Sequence, residues 1–390
     1  MPNDATIAFL ALHRNDDPMR LLLQQNKYPE VDMAWVAQQI EGKKQASAKW
    51  PMLASFESVW FPPRLNREQS SSEATAEYKA TCFAPKDGRM ADLTGGMGID
   101  TMFFARKCAH VDYLEQDGRL CELMKHNAEE MQLTNLSCHQ TDSMVWIEGQ
   151  QQTFDLLYID PARRNEQGMR VAAFEDCQPN LLDHLEMLLS HTEHLLVKAS
   201  PMIDLSLALS QLRKVEQVHI VAVKGECKEI LFYLTAQATH TEVHCVNLET
   251  SQPSFVFFWE DRTKTVQTAL ELGHYLYDPN ATIRKSGGVA LLAEEYALAQ
   301  LSHNTMLFTS DRFESDFPGR VFEIVTLVQL NAKSVKKAIP TGEAHVVSRN
   351  YPLAADKLQS QLKIREGGDF FLFATTFAMR HLGLLCKRLS

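Results

Sequence analysis

The sequence has no internal repeat, no Cys-x-x-Cys pair and no apolar run of the roughly 20 residues that a membrane span needs. The lack of such a run argues against a transmembrane helix. The first eleven residues have no basic stretch ahead of an apolar one, so we expect no signal peptide. The eight cysteines are scattered along the 390 residues. Their spacing predicts neither a metal site nor a disulfide framework and indicates a cytoplasmic protein.

Basic side chains are fewer than acidic ones, and the net charge of −10 argues mildly against a nucleic-acid partner. The charge is unevenly distributed, however. Residues 1–90 are neutral overall, residues 91–319 carry −16 and residues 320–390 carry +6. A basic C-terminal module on an acidic body is compatible with a polyanionic partner and, equally, with a solvated basic face.

The pattern of apolar residues changes along the chain. In residues 1–60 it is helical, as in Met33, Val36, Ala37 and Ile40, and a second helix is predicted from Ser72. From residue 90 onward, short apolar runs alternate with amphipathic stretches, which is typical of βαβ units and a parallel sheet. The predicted strands are Met90–Thr94, His110–Glu115, Asn135–His139, Phe154–Ile159, His194–Lys198, Gln217–Val223 and Glu229–Leu234.

The last two predicted strands are separated only by residues 224–228, which is too short for a crossover, so we expect them to be antiparallel. The predicted fold is therefore α/β: a Rossmann-like, doubly wound, mostly parallel sheet of seven strands, with small α+β modules after it. We expect a helix at Leu270–Leu276 and a plain turn at residues 277–281. The predicted domains are residues 1–75 (helical), 76–240 (doubly wound), 241–320 and 321–390.

A glycine-rich turn follows the first predicted strand, in Asp92-Leu93-Thr94-Gly95-Gly96-Met97-Gly98. Glycine allows positive φ and a close approach of the backbone to a ligand. The next helix would present free N–H groups to a carboxylate or phosphate. The turn alone is also compatible with a tight βα connection or a dinucleotide site.

Three carboxylates follow the next strands and decide between these interpretations of the glycine-rich turn. Glu115 ends the second strand, 17 positions after Gly98, where a carboxylate can accept hydrogen bonds from both ribose hydroxyls. Asp142 follows the third strand, where a side chain can meet an adenine amino group, and Asp160 follows the fourth. Ligands of open α/β sheets bind at these carboxyl ends. Singly, Glu115 is compatible with a solvated strand end and Asp142 with a helix cap. NAD is disfavoured because it gives the fourth-strand motif no role.

Residues 92–98, 115 and 154–164 resemble motifs of the class I S-adenosylmethionine-dependent methyltransferases. The resemblance implies S-adenosylmethionine as cofactor. By this likeness Glu115 meets the ribose and Asp142 the adenine. The residues implied at the methionine end are Asp92, Thr94, Gly96 and Gly98.

The chain also resembles, over roughly residues 60–390, the bacterial THUMP-like-domain methyltransferases that carry a ferredoxin-like module. The stretches with this likeness are Glu68–Thr75, Asp160–Arg164, Lys198–Met202, Tyr277–Ala281, Arg349–Leu353 and Gly367–Asp369. The resemblance implies that residues 241–320 are the ferredoxin-like module and that residues 321–390 are the THUMP-like one. It also implies RNA as the substrate class, because THUMP modules bind RNA.

The string Asp160-Pro161-Ala162-Arg163 follows the fourth strand. It resembles the Asp/Asn-Pro-Pro-aromatic loop with which amino methyltransferases orient an exocyclic amine, but Arg163 stands where the stacking aromatic would be. It also resembles the uracil-C5 methyltransferases, which need a cysteine nucleophile beyond the fifth strand, where this chain has Lys198-Ala199-Ser200-Pro201. We therefore expect direct attack by a base nitrogen or a ribose oxygen, with Asp160 and Pro161 shaping the acceptor site.

Lys198 is a second catalytic candidate, which could contact a phosphate or act on a hydroxyl; it could equally pair with Asp160 or Asp176 and hold the strand end. Ser70, Ser71 and Ser72 could bind the methionine carboxylate or only cap a helix. The candidates for substrate contacts are Arg163, Arg164, Arg349 and Lys363. The alternative function is a methyltransferase acting on a protein side chain or a small molecule.

Overall fold

The computed structural model describes residues 2–163 and 174–389. These residues form two compact units. The first comprises residues 1–216 and 230–239, and the second comprises residues 217–229 and 240–390. Within the described residues, no helix has the length and apolarity that crossing a bilayer requires.

The first unit begins with six helices. They are α1 (Asp4–His13), α2 (Pro18–Leu22), α3 (Met33–Lys49), α4 (Pro51–Ser55), α5 (Arg64–Gln69) and α6 (Glu73–Phe83), with a 3-10 turn at Gln25–Lys27. Helix α3 begins where the Asp32 carboxylate accepts a hydrogen bond from Trp35 N at 2.9 Å. The predicted apolar face of α3 is buried, since Met33, Val36, Ala37 and Ile40 are at most 9% exposed.

The alternation predicted after residue 90 is confirmed. The strands are β1 (Arg89–Asp92), β2 (His110–Glu115), β3 (Leu136–Gln140), β4 (Phe154–Ile159), the two-residue strands β5 (Ala162–Arg163) and β6 (Cys177–Gln178), β7 (Thr192–Ala199), β8 (Val215–Val223) and β9 (Glu226–Thr235). The helices between them are α7 (Ile99–Ala105), α8 (Gly118–Glu130), α9 (Ser143–Glu148), α10 (Leu181–Ser190) and α11 (Leu205–Leu212), with a 3-10 turn at Phe174–Asp176.

The sheet of the first unit has the strand order β3-β2-β1-β4-β7-β9. Its neighbours are parallel except for β7 and β9, which are antiparallel. The chain reverses its direction across the sheet between β1 and β4, and open α/β sheets bind ligands at the carboxyl ends of strands flanking such a point. Strands β8 and β9 are joined by Lys224 and Gly225, both at positive φ. A turn of two residues makes a hairpin, so the predicted antiparallel end is confirmed.

The second unit contains two sets of strands. The parallel pair β8 and β10 (Glu242–Leu248) is extended by the antiparallel β11 (Phe255–Phe258). A seven-stranded sheet has the order β13-β14-β12-β15-β18-β17-β16. Its strands are β12 (Tyr275–Pro279), β13 (Ala299–Gln300), β14 (Phe308–Ser310), β15 (Gly319–Val328), β16 (His345–Ser348), β17 (Phe370–Phe377) and β18 (Arg380–Arg388). The helices are α12 (Ala281–Ser286), α13 (Val289–Glu295), α14 (Ala332–Ala338) and α15 (Ala355–Leu362), with a 3-10 turn at Trp259–Thr263.

Two expectations for the second unit are wrong. Residues 270–276 form no helix, and residues 277–281 are not a plain turn, because β12 runs from Tyr275 to Pro279 and Asn280 caps α12. Strand β12 pairs with β14 on one side and β15 on the other, and Leu276 and Tyr277 are completely buried. This pairing on both sides is non-local, and it outweighs the local turn propensity of Pro279 and Asn280.

Candidate functional site

The glycine-rich turn connects β1 to α7 and bends back on itself. Gly98 N donates to Gly95 O at 2.8 Å, and Gly98 is the N-cap of α7. Gly96 and Gly98 have φ of 56° and 80°, in the left-handed region that favours glycine. A Cβ on Gly96 would meet nothing nearer than Thr94 O at 3.7 Å, so there is open space beside the turn.

Gly95 is needed for a different reason, which is close packing against β2. A Cβ on Gly95 would lie 2.2 Å from Tyr113 Cε2. The Tyr113 ring is buried, and its hydroxyl donates to Gly96 O at 2.7 Å. Tyr113 therefore holds the turn in place, by packing against Gly95 and by its hydrogen bond to Gly96 O. Neither Gly95 nor Tyr113 was assigned a role from the sequence, since nothing in the motif shows which glycine packs against the neighbouring strand.

Asp92 ends β1 and is 1% exposed. Its carboxylate accepts hydrogen bonds from Thr94 N at 3.0 Å and from Thr101 Oγ1 at 2.5 Å. Thr94 Oγ1 in turn accepts from Asp160 N at 2.7 Å. These bonds fix the carboxyl ends of the neighbouring strands β1 and β4 to each other, so the glycine turn and the Asp160 loop form one rigid edge.

Burial raises the pKa of Asp92 from 3.8 to about 7, against the opposing hydrogen bonds from Thr101 and Thr94. A folded-state pKa above the unfolded value means that the folded chain binds the extra proton between about pH 4 and 7. The stability from this proton is present below about pH 4 and is lost as the pH rises through 7. The contribution of this proton to the free energy of unfolding is at most on the order of 4 kcal/mol, at about 1.4 kcal/mol for each pKa unit.

We therefore expect the melting temperature of the wild type, minus that of Asp92→Asn, to fall by a few degrees between about pH 5 and 8. The asparagine is nearly isosteric but cannot titrate, so it isolates the Asp92 proton. Thermal melts of both proteins across this range measure the difference. Parallel pH profiles would show that Asp92 is ionised throughout.

Glu115 ends β2 and faces the glycine turn. One carboxylate oxygen accepts from Gly96 N at 2.9 Å and the other accepts from Asp117 N at 2.9 Å. The side chain is only partly buried. Because a carboxylate has about four lone-pair sites, two of them remain for ligand hydroxyls.

Asp142 lies beyond β3 at the same edge and caps α9. One of its oxygens accepts from Met144 N at 2.9 Å and Val145 N at 3.1 Å. The other accepts from Gln116 Nε2 at 2.9 Å. The capping role that the sequence left open is therefore present, and the bond from Gln116 links the ends of β2 and β3.

Asp160 and Lys198 form an ion pair at the ends of β4 and β7. Lys198 Nζ lies 2.5 Å from Asp160 Oδ2, with the side chains 12% and 37% exposed, respectively. Of the two pairings considered for Lys198, the one with Asp160 is present, and the side chain of Asp176 lies outside the described part of the chain. Pro161 is buried beside it. A half-buried, charge-assisted hydrogen bond of this kind fixes the direction of the Asp160 carboxylate.

The two arginines of this loop cannot be placed. Arg163 belongs by its backbone to β5, which pairs with β6, but its side chain lies outside the described part of the chain. Arg164 lies outside the described residues altogether.

A buried network missed by the sequence reasoning ties α6 to α7. Asp100 Oδ2 accepts hydrogen bonds from Ser71 Oγ at 2.7 Å and from Tyr158 OH at 2.8 Å, and Lys79 Nζ lies 3.2 Å from Asp100 Oδ1. Lys79 is completely buried. Despite the burial, the cation of Lys79 is the main cause that lowers the Asp100 pKa, with Lys198 next. Pairs between distant segments such as these leave no pattern in the sequence.

The three serines before α6 have separate structural partners. Ser72 Oγ accepts from Thr75 N at 3.3 Å and caps α6, Ser71 binds Asp100, and Ser70 Oγ donates to Arg67 O at 3.0 Å. Helix capping therefore explains Ser72, and a tie to α7 explains Ser71.

Arg349 and Lys363 lie in the second unit. Arg349 Nη2 is 3.5 Å from the buried carboxylate of Asp278. Lys363 is the exposed, left-handed C-cap of α15. In the two described ranges, no group of three or more His, Cys, Asp or Glu side chains is arranged to hold a metal ion.

Comparison with known proteins places these features in a family. Residues 275–318 match the model of a ferredoxin-like domain, and residues 319–388 match a model described as THUMP domain-like. A curated relative, the 23S rRNA (uracil(1939)-C(5))-methyltransferase RlmD of Tolumonas auensis, is 31% identical over 102 residues. These residues are 23% of this chain and 23% of the relative, so the match spans less than a quarter of either protein.

The whole chain is similar to a protein of Porphyromonas gingivalis W83 whose crystal structure is described as that of a "putative methyltransferase". The two are 30% identical, the TM-score is 0.87, and the match covers 99% of this chain and 98% of the other. The glycine turn, Glu115, Asp142 and Asp160 lie at one edge of a sheet with the strand order of class I methyltransferases. The chain therefore belongs to the bacterial THUMP-like-domain methyltransferases, in which ferredoxin-like and THUMP-like modules follow the methyltransferase domain.

Proposed function

We propose that this protein transfers the methyl group of S-adenosylmethionine directly to a base nitrogen or a ribose oxygen of RNA. The observation that supports it most is the pair of hydrogen bonds from Gly96 N and Asp117 N to the Glu115 carboxylate. They preorganise an acceptor for ribose hydroxyls next to an open glycine turn. Asp92, Asp142 and Asp160 follow the other strands at the same edge.

The residues present fit the cofactor. The space beside Gly96 admits a ligand against the backbone, and Asp92 holds the turn in shape. Glu115 would hold the ribose, and Asp142, already a helix cap, would meet the adenine. Thr94, Gly96 and Gly98 would line the methionine end. When bound, S-adenosylmethionine would supply an electrophilic methyl carbon, to which the acceptor atom bonds in line as the carbon–sulfur bond breaks and S-adenosylhomocysteine leaves.

Asp160 is the residue that would orient the acceptor. Lys198 engages Oδ2, so we assign Oδ1 to the N–H or O–H of the substrate. Lys198 holds the carboxylate in place through this ion pair, so we assign it the role of a positioning residue. Pro161 is buried and fixes the backbone after Asp160. An amine or hydroxyl held in this way would attack without a covalent enzyme intermediate, and the proton that it loses on methylation would pass to Asp160 Oδ1.

Methylation at uracil C5 is less well supported by the residues. It needs a thiolate that adds to the ring, and the end of β7 carries Lys198-Ala199-Ser200-Pro201 without a thiol. Burial raises the pKa of Cys227, the next cysteine along the chain, to about 11. A thiol with that pKa is protonated at neutral pH and is a poor nucleophile.

RNA as the substrate class is supported by the THUMP-like match over residues 319–388 and by the rRNA substrate of the curated relative. The excess of positive charge in residues 320–390 agrees with a polyanionic partner. Arg163, Arg164, Arg349 and Lys363 remain proposed substrate contacts. We also propose the cytoplasm as the compartment, and the domain division at residues 1–75, 76–240, 241–320 and 321–390.

Two measurements test this function. Calorimetric titration of the full chain with S-adenosylmethionine and with S-adenosylhomocysteine is expected to show binding, and no association in the millimolar range would overturn the cofactor assignment. Bulk RNA from cells lacking this protein is then incubated with the enzyme and a labelled methyl donor, and nucleosides are identified by mass spectrometry. An N-methyl or 2′-O-methyl nucleoside supports direct transfer. 5-Methyluridine would overturn the proposed atom, and no labelled nucleoside would overturn RNA as substrate.

A further inference from the structure

Three arginines surround one buried carboxylate in the second unit. Asp278, at the end of β12, is 1% exposed. Arg284 Nη1 lies 3.1 Å from Oδ1, Arg320 Nη2 lies 2.5 Å from Oδ2, and Arg349 Nη2 lies 3.5 Å from Oδ2. In the ion pairs that the structure describes, Asp278 is the only anion on these guanidiniums. Arginine remains charged in proteins, so the cluster carries two uncompensated positive charges.

The excess positive charge affects the pKa of Arg284, the most buried of the three arginines. Burial lowers the pKa of Arg284; Asp278 opposes this effect, and Arg349 and Arg320 add to the lowering. The three cations thus repel one another across the single carboxylate. Such an arrangement costs free energy in the ligand-free chain and is relieved by a second anion.

Two of the arginines border a cavity of about 510 Å³. Its lining includes Arg320, Arg349, Tyr351, Ala354 and Ala355 and contains no acidic residue. Arg349 Nε is buried and, among the described residues, meets no acceptor. Arg320 is held against Phe322 and Phe371, with its guanidinium carbon 5.4 and 5.9 Å from the ring centroids. Both cations are therefore fixed in direction before any ligand arrives.

The remaining wall adds further donors. The cavity includes the first residues of α15, whose N-cap is Ala354 and has no side-chain acceptor. The first N–H groups of a helix have no acceptor inside the helix. At the start of α15, no capping side chain accepts hydrogen bonds from them either. These donors and the two guanidiniums border the same space, as is typical of a phosphate site.

We propose that the cavity bordered by Arg320, Arg349 and the start of α15 binds the phosphate group of a nucleotide. The volume admits a nucleoside as well as its phosphate, with Tyr351 and Leu353 forming apolar wall. The phosphate could belong to an RNA strand or to a free nucleotide, since the two share this chemistry. If it belongs to RNA, the inference rests on RNA as the proposed substrate and names a contact that holds the strand away from the methyl-transfer site.

The decisive variant is Ala354→Asp. An aspartate at the N-cap accepts hydrogen bonds from the first N–H groups of α15 and stabilises the helix, while it places a negative charge in the wall of the cavity. We expect the melting temperature to be unchanged or raised and phosphate binding to be lost. Unfolding cannot explain such a result. Arg349→Gln is the companion variant and should weaken binding roughly tenfold or more, as loss of a hydrogen bond between charged groups does.

Lys337→Gln is the matched control. Lys337 is an exposed cation of the same module, in the last turn of α14, and it does not line the cavity. The substitution changes the net charge as Arg349→Gln does, so both variants lower any general attraction to an anion alike. We expect less than a twofold loss of affinity from Lys337→Gln.

Binding is measured with the full chain and without S-adenosylmethionine, so a failure of the cofactor assignment does not affect the outcome. The probes are a fluorescein-labelled ten-nucleotide single-stranded RNA, AMP and inorganic phosphate. Loss of RNA binding in Ala354→Asp and Arg349→Gln but not in Lys337→Gln, without competition by AMP, assigns the site to a strand. The same pattern with AMP assigns the site to a free nucleotide, whereas binding of inorganic phosphate but of neither AMP nor RNA would overturn the nucleotide assignment. The proposal is overturned if no probe binds the wild type with a Kd of about 5 mM or below. It is also overturned if the three variants bind the probe with the same affinity.

Discussion

Gly95→Ala is expected to lower the affinity for S-adenosylmethionine by roughly 100-fold, because overpacking costs about 1–3 kcal/mol and a factor of ten corresponds to about 1.4 kcal/mol. The added Cβ would lie 2.2 Å from Tyr113 Cε2 and 2.6 Å from Tyr113 Cζ. Either the ring or the turn must move. If the ring moves, the Tyr113 hydroxyl loses its hydrogen bond to Gly96 O. If the turn moves, Gly96 N loses its hydrogen bond to the Glu115 carboxylate. Calorimetric titration measures the change.

Gly88→Ala is the matched control for Gly95→Ala. Its Cβ would also be too close to its neighbours, at 2.7 Å from Pro85 Cβ and 2.8 Å from Asp155 Oδ2. Gly88 precedes the amino end of β1, on the side away from the turn. Both variants should lower the melting temperature, but only Gly95→Ala should lose the cofactor. Wild-type affinity in Gly95→Ala would show that the turn does not bind it.

Asp160→Asn should lower kcat by about 100-fold to 1000-fold, within the usual contribution of a positioned proton acceptor, while the Kd for S-adenosylmethionine changes less than about threefold. The amide keeps the shape of the side chain but removes the charge that pairs with Lys198 at 2.5 Å. The acceptor then loses its orienting carboxylate, and Lys198 loses its anion. Single-turnover methylation assays, together with titration of the cofactor, separate the two quantities.

The control for Asp160→Asn is Asp183→Asn on α10. Asp183 is an exposed carboxylate that accepts a hydrogen bond from Asn180 Nδ2 at 2.7 Å, and its loss should leave kcat unchanged. Lys198→Met adds a second test: if Lys198 acts only through Asp160, the double variant is no slower than Asp160→Asn alone. Equal kcat in wild type and Asp160→Asn would remove Asp160 from the mechanism.

Much of the first unit could be predicted from the sequence because its signals are local. The apolar period changes from helical to strand spacing near residue 90, and the glycine turn and the carboxylates follow strands in chain order. The helix at Leu270–Leu276 and the turn at residues 277–281 were wrong because pairing of β12 with two distant strands decides that segment. Local pattern predicts a segment correctly where the long-range pairing agrees with it, and fails where, as in β12, the pairing opposes it.

The functional site, like the fold, could be predicted from local sequence patterns only in part. Spacing predicted that Asp92, Glu115, Asp142 and Asp160 follow strands of one sheet, and therefore that they share an edge. Spacing could not show that Asp160 N bonds to Thr94 Oγ1 or that Lys198 pairs with Asp160. Arg349 was named as a basic residue of the C-terminal module, without its carboxylate partner or the cavity beside it.

The sequence by itself determined the order of helices and strands in the first unit, the glycine turn and the carboxylates at the strand ends, because these depend on residues within a few positions of one another. Only the tertiary structure decided that Tyr113 supports the turn, that Lys79 meets Asp100, and that three arginines share Asp278. Apart from Arg284 and Asp278, which are 6 positions apart, the partners in those contacts lie from 17 to 71 positions apart along the chain. Side chains so far apart in sequence meet only when the sheets have formed, and the energies of their charges depend on the burial that the folded chain provides.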